Sequence, residues 1–301
     1  MKRILIPVIL FALPAFAQKA TSQSLPDTYA TQQRQQSFAT SRLNGSQRDG
    51  QWVSLQLKDR TLRAFLRYPN KEIQSPVPIV IVLHEVFGLT DSTRNTADRI
   101  SEMGYLTITP DMVSGLAPNG GGVEDFSNSR QTAEVVTGQL HANVVAQINA
   151  WARYGLNLPQ SNGKLAVVGL SWGGGAAFRY AVSADHHPAL KAAFSFYDVG
   201  PPVFNQGPNR ANNPPMDISA MDVPVYGFYP TNDLRVMDSL PTTIEAMRAA
   251  EKLFFPEIYE GADHGYMRLG EDPANENVAN KTALYKSLDR LKAELKNTVS
   301  N

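Results

Sequence analysis

The segment Val167-Val168-Gly169-Leu170-Ser171-Trp172-Gly173-Gly174-Gly175 constrains this chain more than any other. The strand-like run Lys164-Leu165-Ala166-Val167-Val168 leads to a serine set between glycines, and small residues then open a helix-compatible stretch from Ala176 to Ala181. A G-x-S-x-G turn between a strand and a helix forces the serine into a strained backbone conformation that lifts its hydroxyl above the end of the sheet. Gly169 and Gly173 leave room at the crowded turn, while Gly174 and Gly175 let the helix approach the sheet closely. The segment reads as a nucleophile elbow carrying Ser171.

The flanking chain supplies the alternation that such an elbow needs. Val53, Leu55 and Leu57 alternate with polar residues, Lys58-Asp59-Arg60 turns, and Leu62, Ala64, Leu66 and Tyr68 alternate again, which predicts a hairpin. Ile79 to Leu83 is an unbroken apolar run, as expected of a strand buried on both faces. A helix is expected from about Asp91 to a Gly104 cap, then a strand from Tyr105 to Thr109 stopped by Pro110. Ala133, Val136, Leu140, Val144, Ile148 and Trp151 recur every three or four residues and predict one long amphipathic helix. After the elbow come expected strands at 192–197, 223–229 and 254–259. A helix is expected near Pro241 to Glu251, and a last one carries Leu284, Leu288, Leu291 and Leu295 on one face. The irregular segment from Gly200 to Asp217 is a candidate cover for the site. The expected fold class is α/β: a mostly parallel central sheet with an N-terminal antiparallel hairpin and helices on both faces, in one domain spanning 50–298.

Composition narrows the function classes. With 28 basic and 28 acidic residues the formal net charge is zero, so there is no electrostatic footprint for nucleic acid or an anionic membrane. Lys2 and Arg3 precede an apolar run from Ile4 to Leu13, and Ala15-Phe16-Ala17 resembles a signal-peptidase site. The run is shorter than the ~20 residues that span a bilayer. We therefore expect a signal peptide at 1–17, export to the periplasm or exterior, and no membrane attachment after cleavage. Residues 18–49 are polar without an apolar period and are expected to be a mobile or loosely docked arm. The chain has no cysteine, hence neither a disulfide framework nor a thiol nucleophile.

A serine hydroxyl needs a base, and the base needs an orienting carboxylate. Asp233 and His264 each follow the end of an expected strand and stand in the order Ser, Asp, His. Asp238 and Asp263 are the rival acids; the first belongs with a helix, and the second adjoins His264 too closely to turn back onto its ring. Among the other histidines of the five, His186 and His187 are expected in a helix-exit loop and His141 on a polar helix face. The N–H of Trp172 and that of Val86, in the loop after Leu83, are the candidate donors to an oxyanion. No metal or cofactor site is expected.

His84-Glu85-Val86-Phe87-Gly88-Leu89, Asp98-Arg99, Gly104-Tyr105, Pro110-Asp111, the elbow, Asn232-Asp233 and Gly261-Ala262-Asp263-His264-Gly265-Tyr266 together resemble the dienelactone hydrolase family of α/β-hydrolases, over about residues 52 to 296. The resemblance implies the α/β-hydrolase fold and a monomeric, metal-free enzyme that hydrolyses carboxylic esters or lactones. The best-known members carry cysteine where this chain has Ser171. Their glutamate at the position of Glu85 helps manage the thiol proton; here Glu85 is either a support hydrogen-bonded to the elbow or a buried structural acid. Arg268 matches a family arginine that contacts a substrate carboxylate. Arg130 is either a second such arginine or a solvated helix residue. Two other readings of the chain are a peptidase or polyester hydrolase on the same fold, and a binding protein of hydrolase shape without turnover.

Overall fold

A strand that is apolar on both faces needs cover on both faces, and two such strands lie at the heart of this chain. A computed structural model describes residues 18–19, 36–69, 75–201 and 216–300. In it Val77–Leu83 (β4) pairs in parallel with Ser161–Leu170 (β6), Val82 lying opposite Val168 and Leu83 opposite Gly169. The other strands among the described residues are Gln18–Lys19 (β1), Gly50–Leu57 (β2), Arg60–Arg67 (β3), Leu106–Asp111 (β5), Leu190–Phe196 (β7), Val225–Pro230 (β8) and Phe254–Tyr259 (β9). They form one sheet in the order β1-β2-β3-β5-β4-β6-β7-β8-β9. β2 and β3 form the expected hairpin, closed at Lys58-Asp59, and β3 runs antiparallel to β5; from β5 to β9 every pairing is parallel.

The alternation of side chains along β4 divides the core. Ile79, Ile81 and Leu83 pack with Val144, Ile148 and Trp151 of His141–Leu156 (α4), with Trp172–Val182 (α5), and with Met247 of Leu234–Ala249 (α6). Val80 and Val82 face the other way, into a cluster with Ala97 and Ile100 of Asp91–Glu102 (α2), Met267 of Tyr266–Leu269 (α7), and Leu284, Leu288, Leu291 and Leu295 of Val278–Leu295 (α8). Helices therefore cover both faces, as the apolar strands require.

Several expectations are corrected. The long helix is two, Ser129–Gly138 (α3) and α4, because Gln139 and Leu140 turn extended after Gly138. The continuous apolar row concealed the break: Val136 packs with Leu89, Val113 and Val123, whereas Val144 and Ile148 belong to the main core. β5 continues through Pro110, which sits opposite Ala64 of β3. The pairing with β4 has already ended at Ile108, so the missing N–H of Pro110 costs the sheet no bond on that side. Helix α6 begins at Leu234 rather than Pro241, since the Asp233 carboxylate caps it at Val236 N–H and the proline is accommodated within it.

The polar arm is also more structured than expected. Ser37–Gly45 (α1) lies along α2, with Gln36 Oε1 accepting from Ser92 N–H at 3.1 Å and Thr40 donating to Asp91 at 2.5 Å. Ser46 and Arg48 both bind Asp98, at 2.7 and 2.5 Å. Short polar side chains satisfy the start and flank of α2 without needing an apolar stripe, which is why no period marks this segment. The signal peptide expected at 1–17, residues 20–35 of the arm, and 202–215 of the suggested cover lie outside the described residues.

Candidate active site

The elbow is enforced by contacts that exclude any side chain but hydrogen. A Cβ on Gly169 would stand 1.8 Å from the Gly173 carbonyl oxygen, and one on Gly173 would stand 2.5 Å from that of Leu83. With the strand and helix pressed together, Ser171 takes φ 52° and ψ −120° as the residue before α5. Its N–H donates to Phe196 O at 3.0 Å, which ties the turn to β7. The hydroxyl emerges at the carboxyl end of the sheet, where ligand sites of parallel sheets gather.

Two further loops at that end bring in the partners. Ser171 Oγ lies 2.9 Å from His264 Nε2, and His264 Nδ1 lies 2.5 Å from Asp233 Oδ2. The expected nucleophile, base and acid thus form one chain of hydrogen bonds across β6, β8 and β9. Burial pushes the Asp233 carboxyl up, but the hydrogen bond and charge of His264, with Arg235 behind, outweigh it and hold the acid below its ordinary value. An ionised Asp233 keeps a proton on Nδ1, leaving Nε2 free to accept one from the serine. Asp263 points away from the ring, toward Asn232, Asn277 and Asn280.

Trp172 is the first residue of α5, so its N–H has no acceptor within the helix. Val86 lies in the loop leaving the adjacent strand β4. That loop is braced by His84, which the sequence did not single out. Its Nδ1–H donates to Glu85 O at 2.6 Å, Nε2 accepts from Met112 N–H at 3.2 Å, and the ring stacks on Trp172 with centroids 5.6 Å apart. Burial drives the imidazole down to about 4, so it remains neutral, as one donor and one acceptor require. Gly88 closes the same loop at φ 79°, where a Cβ would meet Val123.

Glu85 is buried, and its carboxylate faces Arg268 at 3.5 Å and the Tyr197 phenol. It is therefore the buried-acid reading of Glu85 that the contacts support, with Arg268 drawn to it. Tyr197, at φ 42° and fully buried, packs edge-on against the His264 ring at 5.2 Å. Burial and then the Glu85 charge keep its phenol protonated well above the ordinary range. The contacts of Arg130 fit its reading as a solvated helix residue: its side chain is 88% exposed and pairs along its own helix with Glu134. The half-buried His141 sits beside Arg179 on a less solvated face than expected, while His186 bonds Asp222 at 3.1 Å.

Asp198 and Arg235 are additions. Asp198 accepts from Gly175 N–H at 3.1 Å in the first turn of α5 and from Val199 N–H at 2.7 Å. Arg235 reaches both Asp198, at 3.3 Å, and Asp233, at 3.7 Å. Asp198 follows the end of β7, so the strand-end rule that selected Asp233 also applied to it.

The dienelactone hydrolase family profile matches residues 62–296. A candidate carboxymethylenebutenolidase of Escherichia coli K12 is 30% identical over 206 residues, covering 65% of this chain and 70% of that protein. One from Methylorubrum extorquens is 26% identical over 218 residues, covering 71% of each. Among solved structures, a candidate dienelactone hydrolase from Klebsiella pneumoniae superposes with a TM-score of 0.68 at 24% identity, covering 81% of this chain and 98% of that one. Taken with the mostly parallel sheet and the elbow at its carboxyl edge, the profile match means that this chain belongs to the dienelactone hydrolase family, a family of carboxylic ester hydrolases on the α/β-hydrolase fold.

Proposed function

We propose that the protein hydrolyses small carboxylic esters or lactones through an acyl-enzyme on Ser171. The observation that carries this reading is the hydrogen-bond chain Ser171 Oγ, His264 Nε2, His264 Nδ1, Asp233 Oδ2, with links of 2.9 and 2.5 Å. As the Ser171 oxygen attacks the carbonyl carbon, its proton passes to His264 Nε2, and Asp233 stabilises the resulting imidazolium. The carbonyl oxygen becomes an oxyanion facing the N–H groups of Trp172 and Val86, while His264 returns the proton to the leaving alkoxide. Water, activated by the same imidazole, then attacks the acyl-enzyme and releases the acid. In a lactone the leaving oxygen belongs to the same molecule, so one hydroxy acid is released. No metal or cofactor has a part in this sequence, and a monomer suffices for it. The cleavable leader read at 1–17 extends the proposal to an exported enzyme acting in the periplasm or outside the cell.

The test combines fluorophosphonate labelling with hydrolysis of p-nitrophenyl esters, cis-dienelactone and a peptide anilide. Labelling at Ser171 with turnover of an ester or lactone is expected. Labelling with anilide cleavage alone would replace the reading by a peptidase, and absence of both labelling and turnover would leave a binding protein. Arg268→Ala serves as a second arm. If Arg268 reads a substrate carboxylate, kcat/KM for an acidic ester falls about tenfold or more and that for a neutral ester of equal size changes little.

A further inference from the structure

We propose that Asn232 and Asp263 are a positioning pair that holds the acid and base of the site in register. Each immediately precedes a member of the hydrogen-bond chain: Asn232 before Asp233, Asp263 before His264. Asn232 Nδ2 donates to Asp263 Oδ1 at 2.8 Å, spanning the same gap between the same two loops as the 2.5 Å bond from His264 to Asp233. The two bonds are side-by-side rungs. This proposal rests on the hydrolase reading of Ser171, His264 and Asp233.

The need for a second rung follows from where the sheet stops. The pairing of β8 with β9 ends at Pro230 and Tyr259, so both functional residues lie on chain beyond the ladder. The His264 side chain is also 39% exposed, so packing alone does not fix it. What continues the ladder is a set of polar contacts. Asn232 N–H donates to Ala262 O at 3.0 Å, and Gly261 N–H donates to Thr231 Oγ1 at 2.7 Å. The second hydrogen of the Asn232 amide goes to Gly261 O at 2.9 Å.

The far side of the loop is held as a counterpart. Asn277 Nδ2 also donates to Gly261 O, at 2.9 Å, and to Asp263 Oδ2, at 2.8 Å. Asn280, wholly buried at the start of α8, donates to Asp263 Oδ2 at 2.8 Å and accepts from Asp263 N–H at 2.8 Å. The Asp263 carboxylate thus receives an amide N–H from each of Asn232, Asn277 and Asn280, and bonds to an ionised acceptor are roughly twice as strong as neutral ones. These bonds, those of Asn232 and Asn277 foremost, hold its carboxyl below its ordinary value. Asp263 anchors the loop to α8, and Asn232 connects that anchor to the loop bearing Asp233. The exposed position of Asn232 separates this role from core stability: its truncation empties no cavity.

The test uses the full chain with Asn232→Ala, Asp263→Ala and the double variant, assayed with p-nitrophenyl acetate. A misplacement of about 1 Å at a reacting group costs on the order of 10²-fold. We expect Asn232→Ala to lower kcat by 10- to 100-fold with KM nearly unchanged and melting little altered, and the double variant to be no worse than Asp263→Ala. Wild-type kcat in folded Asn232→Ala, or losses that multiply in the double variant, would overturn the pair. Should Asp263→Ala not fold, Asn232→Ala alone decides through the same split of kcat against KM. A substrate-free readout covers failure of the hydrolase reading itself: the ring ¹⁵N shifts of His264, assigned against His264→Ala, must change in Asn232→Ala. Wild-type shifts there would refute the positioning role even if no ester were ever turned over.

Discussion

The elbow strain can be measured by comparing two variants that both lack the Ser171 hydroxyl. Ser171 occupies φ 52°, ψ −120°, the region of the first central residue of a type II′ turn, where glycine dominates. Holding a residue with a Cβ there costs on the order of 1–3 kcal/mol. Ser171→Ala removes the hydroxyl and its bond to His264 but keeps the Cβ and the strain; Ser171→Gly removes both. The difference between them isolates the backbone. Glycine offsets part of the gain through its extra freedom in the unfolded chain, about 0.5–1 kcal/mol. Near the middle of both ranges a net advantage of about 1–2 kcal/mol remains for Ser171→Gly over Ser171→Ala. In a domain of this size each kcal/mol moves Tm by about 2–4 °C, so Ser171→Gly should melt about 2–8 °C above Ser171→Ala in calorimetry under identical conditions. A Tm for Ser171→Gly at or below that of Ser171→Ala would refute the claim that the turn is held against its preference.

Ser171→Ala and His264→Ala should each remove nearly all esterase turnover, on the order of 10⁴-fold or more, with the double variant little worse in steady-state kinetics. Asp98, whose side chain is wholly buried between Arg48 and Arg67, should be a stability site: Asp98→Ala is expected to cost about 3–5 kcal/mol in chemical denaturation, because it strands two guanidinium groups. Asp111 should impose a pH dependence. Burial raises its carboxyl from 3.8 to about 6, so the stability it contributes is complete below pH 3.8 and lost as pH rises through about 6. Asp111→Asn should therefore gain on the wild type between pH 4 and 6.5, by on the order of 3 kcal/mol across the window in urea titrations. Arg130→Ala, at an 88% exposed side chain, should leave kcat/KM unchanged for acidic and neutral esters alike.

What was legible in the sequence was what local rules determine. The apolar run of β4, the glycines of the elbow and the strand-end positions of Asp233 and His264 each have a steric or topological cause that acts within a few residues. Errors arose where a neighbour overrides a local rule. Pro110 lies inside a strand because the pairing with β4 has already ended at Ile108, and Pro241 lies inside a helix that Asp233 starts. The row from Ala133 to Trp151 kept its period across a break because its two halves pack against different clusters. Side-chain pairing at long range was the least legible. Nothing in the spacing of Glu85 and Arg268 says that they meet, nor that Arg130 turns to Glu134. Asn277 and Asn280 lie outside every motif, yet their amides converge on the residue before His264.

The long-range closure of the site has a consequence for how the protein reaches its active form. Ser171 and His264 are 93 positions apart in the chain, and between them β7, β8 and β9 must be laid down in order before the two side chains can meet. Such non-local parallel pairings form slowly, because loop-closure entropy is lost before contacts compensate for it. The loop carrying His264 is in turn fastened to α8, the last long helix of the chain. On the proposed mechanism, partly folded chains would therefore hold a formed elbow with an unactivated serine, inert toward adventitious esters. During refolding, phosphonate reactivity should appear after helical ellipticity has recovered, making the nucleophile a chemical clock for completion of the fold.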